Sequence, residues 1–252
     1  MANFIASVVC KNYKYLHPRN NNISLQKNYL SYTFYTKKFV LLYNLFNPMR
    51  FYTTPKILRL LYPSLIWKMP KGEKKLYITF DDGPHPSITP KVLEILKKFN
   101  AKATFFCIGN NIEKYKTTFD MIVSEGHSVG GHTYNHEKGW NTKTDDYIIS
   151  VDKTQQLIKS ALFRPPHGRI KSSQIRKLKN HYKLIAWSVI SYDWDKSLSP
   201  EYCFKNIIKN ADDGSIIVFH DSEKAEKNMI PTLKKVLEYY SEKGFTFENL
   251  KI

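Results

Sequence analysis

Tyr77-Ile78-Thr79-Phe80-Asp81-Asp82-Gly83-Pro84 is an apolar, β-rich run that delivers two adjacent carboxylates to a turn. Within a strand, successive side chains face opposite ways. Where the backbone turns at Gly83-Pro84, two neighbours can instead converge on one site. Carboxylates brought together repel, and each raises the other's pKa unless a cation offsets the charge. One of Asp81 and Asp82 therefore reads as a metal ligand and the other as a base beside it. The plainer alternative is an Asp-Gly turn with both carboxylates in water.

Outward from this run the chain alternates. Short apolar segments recur at 75–80, 103–108, 127–131, 162–164, 183–189, 215–220 and 245–247. Helix-like stretches lie between them at 90–99, 112–125, 144–160, 172–179, 200–210 and 228–242. In the first of these, Val92, Leu93, Leu96 and Phe99 share a face, and Pro90 sits where an opening turn tolerates it. Gly126 and Gly244 stand where glycine closes a helix. Seven short strands with interleaved helices give an α/β fold with a mainly parallel sheet, and a closed or nearly closed barrel fits the count. In such folds chemistry collects at the C-terminal strand ends.

The polar motifs fall there. His132-Thr133-Tyr134-Asn135-His136 follows the third strand. On a helical turn its two histidines would share a face. With one carboxylate they make a two-His, one-carboxylate site with open positions, a set used by zinc and non-haem iron enzymes. Arg164-Pro165-Pro166-His167-Gly168 ends the fourth strand, a stiff turn able to aim Arg164 at a carboxylate and a main-chain N–H at substrate. Ser191-Tyr192-Asp193-Trp194 follows the fifth, and reads as either a surface loop or a buried orienting charge with an aromatic wall. His220 directly follows the apolar sixth strand, well placed as a general acid or, more plainly, as a satisfied rim histidine.

Taken in order, these motifs make residues 74–250 resemble the NodB-type polysaccharide deacetylases, carbohydrate esterase family four. The resemblance implies a distorted (β/α) barrel and removal of N- or O-acetyl groups from glycans. It also implies one divalent metal, with zinc first and cobalt or nickel as alternates. Thr79 to Pro84 reproduces the family's first motif unaltered, which makes Asp81 the catalytic base and Asp82 a metal ligand. His132 and His136 match the second motif as the other ligands. Arg164 would hold Asp81, and the N–H of His167, where the family often has Tyr, would serve the oxyanion. Asp193 and Trp194 match the fourth motif, but Ile190 replaces its first Asp, so any role of that acid is lost. Val218-Phe219-His220 is the fifth, with Val218 in the acetyl pocket where Leu is usual. Asp193 would pair with His220 and favour its protonated form as the acid. The partner implied is an N-acetylated glycan, such as peptidoglycan or a chitin-like chain. The alternatives are a small-molecule amide or O-acetyl ester as substrate, or a non-catalytic glycan-binding role.

Composition limits other classes. The net charge of +17 suggests nucleic acid, but residues 1–71 hold 11 Lys and Arg with no acid, leaving 28 against 22 in the remainder. No nucleic-acid module accompanies this charge, and none is expected as partner. Residues 1–48 form a basic, acid-free, Asn- and Tyr-rich extension, expected to be disordered or outside the working chain, with Met49 an alternative start. Contact of that extension with a membrane or anionic surface is the weaker alternative. Residues 49–73 read as a short helical lead-in, and residues 74–250 as the catalytic domain. Cys10, Cys107 and Cys203 are isolated, so neither a cysteine zinc site nor a disulfide framework is indicated. No transmembrane run and no secretory-signal order is visible, which leans toward the cytoplasm, and a monomer is expected.

Overall fold

The computed structural model describes residues 52–251. The extension 1–48 and Cys10 lie outside the described residues. The strands are β1 (Leu65–Ile66), β2 (Lys75–Asp81), β3 (Ala103–Cys107), β4 (Ser128–Gly131), β5 (Leu162–Phe163), β6 (Lys183–Ile185), β7 (Val189–Ile190), β8 (Ile216–His220) and β9 (Thr246–Phe247). The helices are α1 (Lys56–Leu61), α2 (Ile88–Lys98), α3 (Gly109–Lys114), α4 (Lys116–Ser124), α5 (Thr144–Ile158), α6 (Ser172–Leu178), α7 (Pro200–Asn210) and α8 (Glu226–Glu242).

The sheet runs β1-β6-β5-β4-β3-β2-β8-β7, with β9 beside the start of β2. The pairings between these strands are all parallel. One segment carries both ends of the sheet. Its first part, β6, pairs with β5 and β1; past Ala186-Trp187-Ser188, β7 pairs with β8. This curls the sheet into the distorted (β/α) barrel. It also splits the strand expected over 183–189, because its two halves face different neighbours. The lead-in helps closure. Thr53 bridges Val189 and Lys68 bridges Ser215, both antiparallel.

Alternation along β2 separates two interiors. Leu76, Ile78 and Phe80 face the helices, where they join Leu93, Leu96, Phe105, Phe219, Leu233 and Leu237 in one buried cluster. A second cluster joins Tyr147 and Val151 of α5 to Phe163 and Leu184. Thr79 and Asp81 take the opposite face, toward the barrel interior. The register sets Asp81 level with Phe106 on one side and His220 on the other.

Helix ends follow their capping chemistry. Ser199 accepts from the Tyr202 N–H at 3.2 Å, with Pro200 opening α7. Gly126 and Gly244 sit at positive φ, beyond α4 and α8. The helix expected over 112–125 is two, broken at Tyr115 (φ −125°, ψ 49°). The first N–H groups of α3 bond to the loop after β4, Gly109 to Thr133 O at 3.0 Å and Asn110 to Tyr134 O at 2.9 Å. That docking fixes α3 as a separate short element.

Candidate active site

Asp81 closes β2 and is almost fully buried. Its carboxylate accepts from Arg164 Nη1 at 2.7 Å. Arg164 is 0% exposed, and it also donates to Thr79 Oγ1 at 2.7 Å and to Ala186 O at 3.0 Å. Its guanidinium lies 4.1 Å from the Phe106 ring centroid. Burial pulls the Arg164 pKa down, while Asp81 works the other way. Arg164 takes its place from β5, whose end at Phe163 pairs with Gly131 of β4.

Asp82 lies one residue past the strand at φ +81°, a left-handed conformation rare outside glycine. That twist brings a second consecutive carboxylate to the same rim. Asn111 Nδ2 secures its carbonyl at 2.8 Å. Asp82 Oδ1 is 3.3 Å from His136 Nε2 and 3.8 Å from His132 Nε2. Burial opposes its charge, yet the imidazoles of His220, His132, His136 and His167 hold its pKa below the ordinary value.

The two histidines do not sit on a helical turn. Residues 132–136 form an irregular loop with Thr133 at φ +62° and His136 at φ +61°. Two long-range tethers impose this shape: Thr133 O accepts from Gly109, and Thr133 Oγ1 accepts from the Glu137 N–H at 3.0 Å. Both rings still reach one point, with centroids 5.0 Å apart.

The donor set suits a cation. One ligand atom from each of Asp82, His132 and His136 falls within 4.8 Å of the others. His132 Nδ1 is bonded to Arg164 O at 2.8 Å, which leaves Nε2 for a metal and fixes the ring's orientation. Burial lowers the His132 pKa to about 4, so the ring is the neutral donor that coordination needs. The Asp82 side chain keeps 25% exposure, so the group opens to solvent on one side.

His167 stands in a 3₁₀ turn at φ +57°, its ring centroid 4.6 Å from that of His136. The turn's own hydrogen bonds are donated by Gly168 and Arg169. Burial and the neighbouring histidines lower the His167 pKa to about 4.

His220 ends β8 across from Asp81. Its Nδ1 is 2.8 Å from Asp193 Oδ1, and its main-chain N–H donates to Asp193 Oδ2 at 2.8 Å. Burial alone would lower the His220 pKa, but the fully buried Asp193 carboxylate overrides it and raises the value to about 9. Trp194 meets the His220 ring edge-on at 4.6 Å. Val218 lies two residues earlier on the same face of β8, next to Thr79 and buried.

All ten expected residues thus gather on one rim, with Val218 one layer below. Sequence reasoning missed Thr79, Asn111 and Asp221 as contributors. Thr79 was detectable, since it precedes Asp81 by two on the same strand face. Asp221 is buried behind the β2 turn, where its carboxyl accepts from the Thr89 hydroxyl and its N–H donates to Asp81 O. Burial pushes its pKa up to about 8.

A buried Asp–Arg pair, a buried Asp–His pair and a two-His, one-carboxylate cluster on one barrel rim define a hydrolase-type centre. The polysaccharide deacetylase profile matches residues 68–184. A peptidoglycan-N-acetylglucosamine deacetylase of Bacillus cereus is 33% identical over 72% of this chain and 88% of its own. A chitooligosaccharide deacetylase of Azorhizobium caulinodans is 34% identical over 61% of this chain and 77% of its own. A peptidoglycan N-acetylglucosamine deacetylase crystallised with 4-naphthalen-1-yl-N-oxidanyl-benzamide superposes with a TM-score of 0.72 at 30% identity, covering 78% of this chain and 95% of that one. The chain belongs to the polysaccharide deacetylase family, carbohydrate esterase family four.

Proposed function

We propose that the protein hydrolyses N-acetyl groups on an amino-sugar polymer or oligomer of the peptidoglycan or chitin kind. The carrying observation is that an anchored base candidate, an anchored acid candidate and a metal-type donor set share one rim. Asp81 and His220 occupy facing positions on adjacent strands, with the Asp82–His132–His136 cluster beside them. The names borne by the relatives support the same substrate class.

Asp82, His132 and His136 would hold one divalent cation, zinc first, which supplies polarisation of the acetyl carbonyl and a more acidic water. Asp81, anchored through one oxygen by Arg164, takes the proton of the attacking water through the other. The His167 N–H is the main-chain donor for the oxyanion that develops on the acetyl oxygen. His220 carries its proton on Nε2, since Nδ1 is committed to Asp193, and gives it to the departing sugar nitrogen. An amide nitrogen leaves poorly without protonation, so a histidine held charged at neutral pH suits the step. Trp194 and Val218 supply the wall and floor beside the acetyl methyl.

The test compares N-acetylglucosamine hexamer and peptidoglycan with an O-acetylated xylan. Acetate should appear from the first two in step with free amine. Release from the xylan alone would replace the amide reading with an ester one.

A further inference from the structure

We infer that the aromatic row running outward from His220 is a stacking subsite for a second pyranose of the same glycan, an inference that rests on the function proposed above. The row is continuous. Trp194 lies 4.6 Å from His220, Tyr192 lies 4.9 Å from Trp194 at 32°, Tyr52 lies 5.0 Å from Tyr192, and Tyr202 lies 6.1 Å from Tyr52. Trp194, Tyr192 and Tyr52 are half-buried, and the terminal Tyr202 is 45% exposed. The row therefore begins at the proposed acid and emerges at the surface.

Three separate elements hold it. Tyr52 belongs to the lead-in, where its carbonyl accepts from Ile190 at 3.0 Å. Tyr192 and Trp194 belong to the loop after β7, tightened by the bond from Asp195 N to Tyr192 O at 3.0 Å and by Asn228 on Asp195 O at 3.1 Å. Tyr202 sits in the capped first turn of α7. Tyr192 also holds φ +58°, a conformation costly for a bulky residue and concentrated at functional positions.

The chemistry selects a sugar. One face of a pyranose is a sheet of C–H bonds, apolar and weakly positive, and it complements the negative π-face of Tyr and Trp. Hydroxyl and indole groups at the ring edges suit the sugar's polar rim. The ligand must also be continuous with the substrate, because the row starts at the group that would protonate the sugar nitrogen. The next residue of the glycan meets both conditions. Tyr202 and Tyr52 lie outside the acid, base and metal machinery, so they should govern chain-length preference rather than the chemical step.

The test uses the full chain, Tyr202→Ala and Tyr52→Leu, with Tyr202→Trp as the conservative variant. Turnover is measured on the N-acetylglucosamine dimer and hexamer, and hexamer binding to chelated protein is followed by tryptophan fluorescence. The preference for hexamer over dimer should fall about three- to tenfold in Tyr202→Ala and Tyr52→Leu, through KM, and return in Tyr202→Trp, with dimer kcat unchanged. Equal preference in wild type and Tyr202→Ala, with equal hexamer binding, would overturn the subsite. Tyrosine-dependent hexamer binding without acetate release from any oligomer would uphold the subsite while removing the proposed reaction.

Discussion

The guanidinium of Arg164 meets the carboxylate of Asp81 at 2.7 Å in a place where the arginine has no contact with solvent. A charge pair so deeply placed is held by mutual need, since removing either member leaves the other buried and uncompensated. Arg164→Leu should therefore destabilise the fold by about 3–5 kcal/mol, read by urea denaturation at neutral pH. Arg164→Lys should keep the charge but lose the simultaneous bonds to Thr79 and Ala186, and turnover should drop more than stability. Wild-type stability in Arg164→Leu would mean that the pair does not organise the barrel interior.

The His220–Asp193 pair sets a pH window. The His220 pKa of about 9 stands above its ordinary 6.5, so the pairing contributes stability in full below pH 6.5 and loses it as pH rises through about 9. Turnover that needs protonated His220 should hold through neutral pH and fall on an alkaline limb near 9. In Asp193→Asn the raising charge is gone while burial still disfavours the cation. The limb should then move below neutral pH, so that kcat at pH 7 falls at least tenfold (roughly one pKa unit per factor of ten). An unchanged alkaline limb in that variant would remove Asp193 from the proposed mechanism.

The two adjacent aspartates should separate by metal content. Asp81→Asn should bind zinc like the parent and lose turnover, whereas His136→Ala should lose both together. Metal analysis after dialysis, beside acetate release, reads the difference. Metal loss from Asp81→Asn would mean that the roles of Asp81 and Asp82 are exchanged.

Gly83 is committed to close approach. A Cβ there would lie 2.2 Å from Asp221 Oδ2. Gly83→Ala should cost about 1–3 kcal/mol and weaken zinc binding, because relief of the clash must shift the turn that carries Asp82. Shortening the opposing group in Gly83→Ala/Asp221→Ser should restore part of both. No recovery in the double variant would show that the turn is held by other contacts.

Much of this architecture is local, which is why it could be read from residues. Lys75 to Asp81 is a strand by its β-branched and aromatic content, and the seven expected apolar segments all appear among the strands. What escaped was long-range. The break between β6 and β7 reflects which neighbours each half meets, and nothing in the residues 186–188 announces it. The histidine loop was expected to be helical from its i, i+4 spacing. Contacts from Gly109 and Glu137 instead hold Thr133 at a φ that its branched side chain disfavours. The same holds for Asp82, whose left-handed backbone carries no composition signal. Asp221 stood in plain sight beside His220, but its burial behind the β2 turn depends on the pairing of β2 with β8.

The most direct test of the central claim is acetate release from N-acetylglucosamine hexamer by chelator-stripped protein, with and without added zinc. The account expects no release from stripped protein, recovery with about one zinc per chain as the Asp82–His132–His136 set implies, and no recovery in His136→Ala. Undiminished release by stripped protein, or zinc-restored release in His136→Ala, would contradict it.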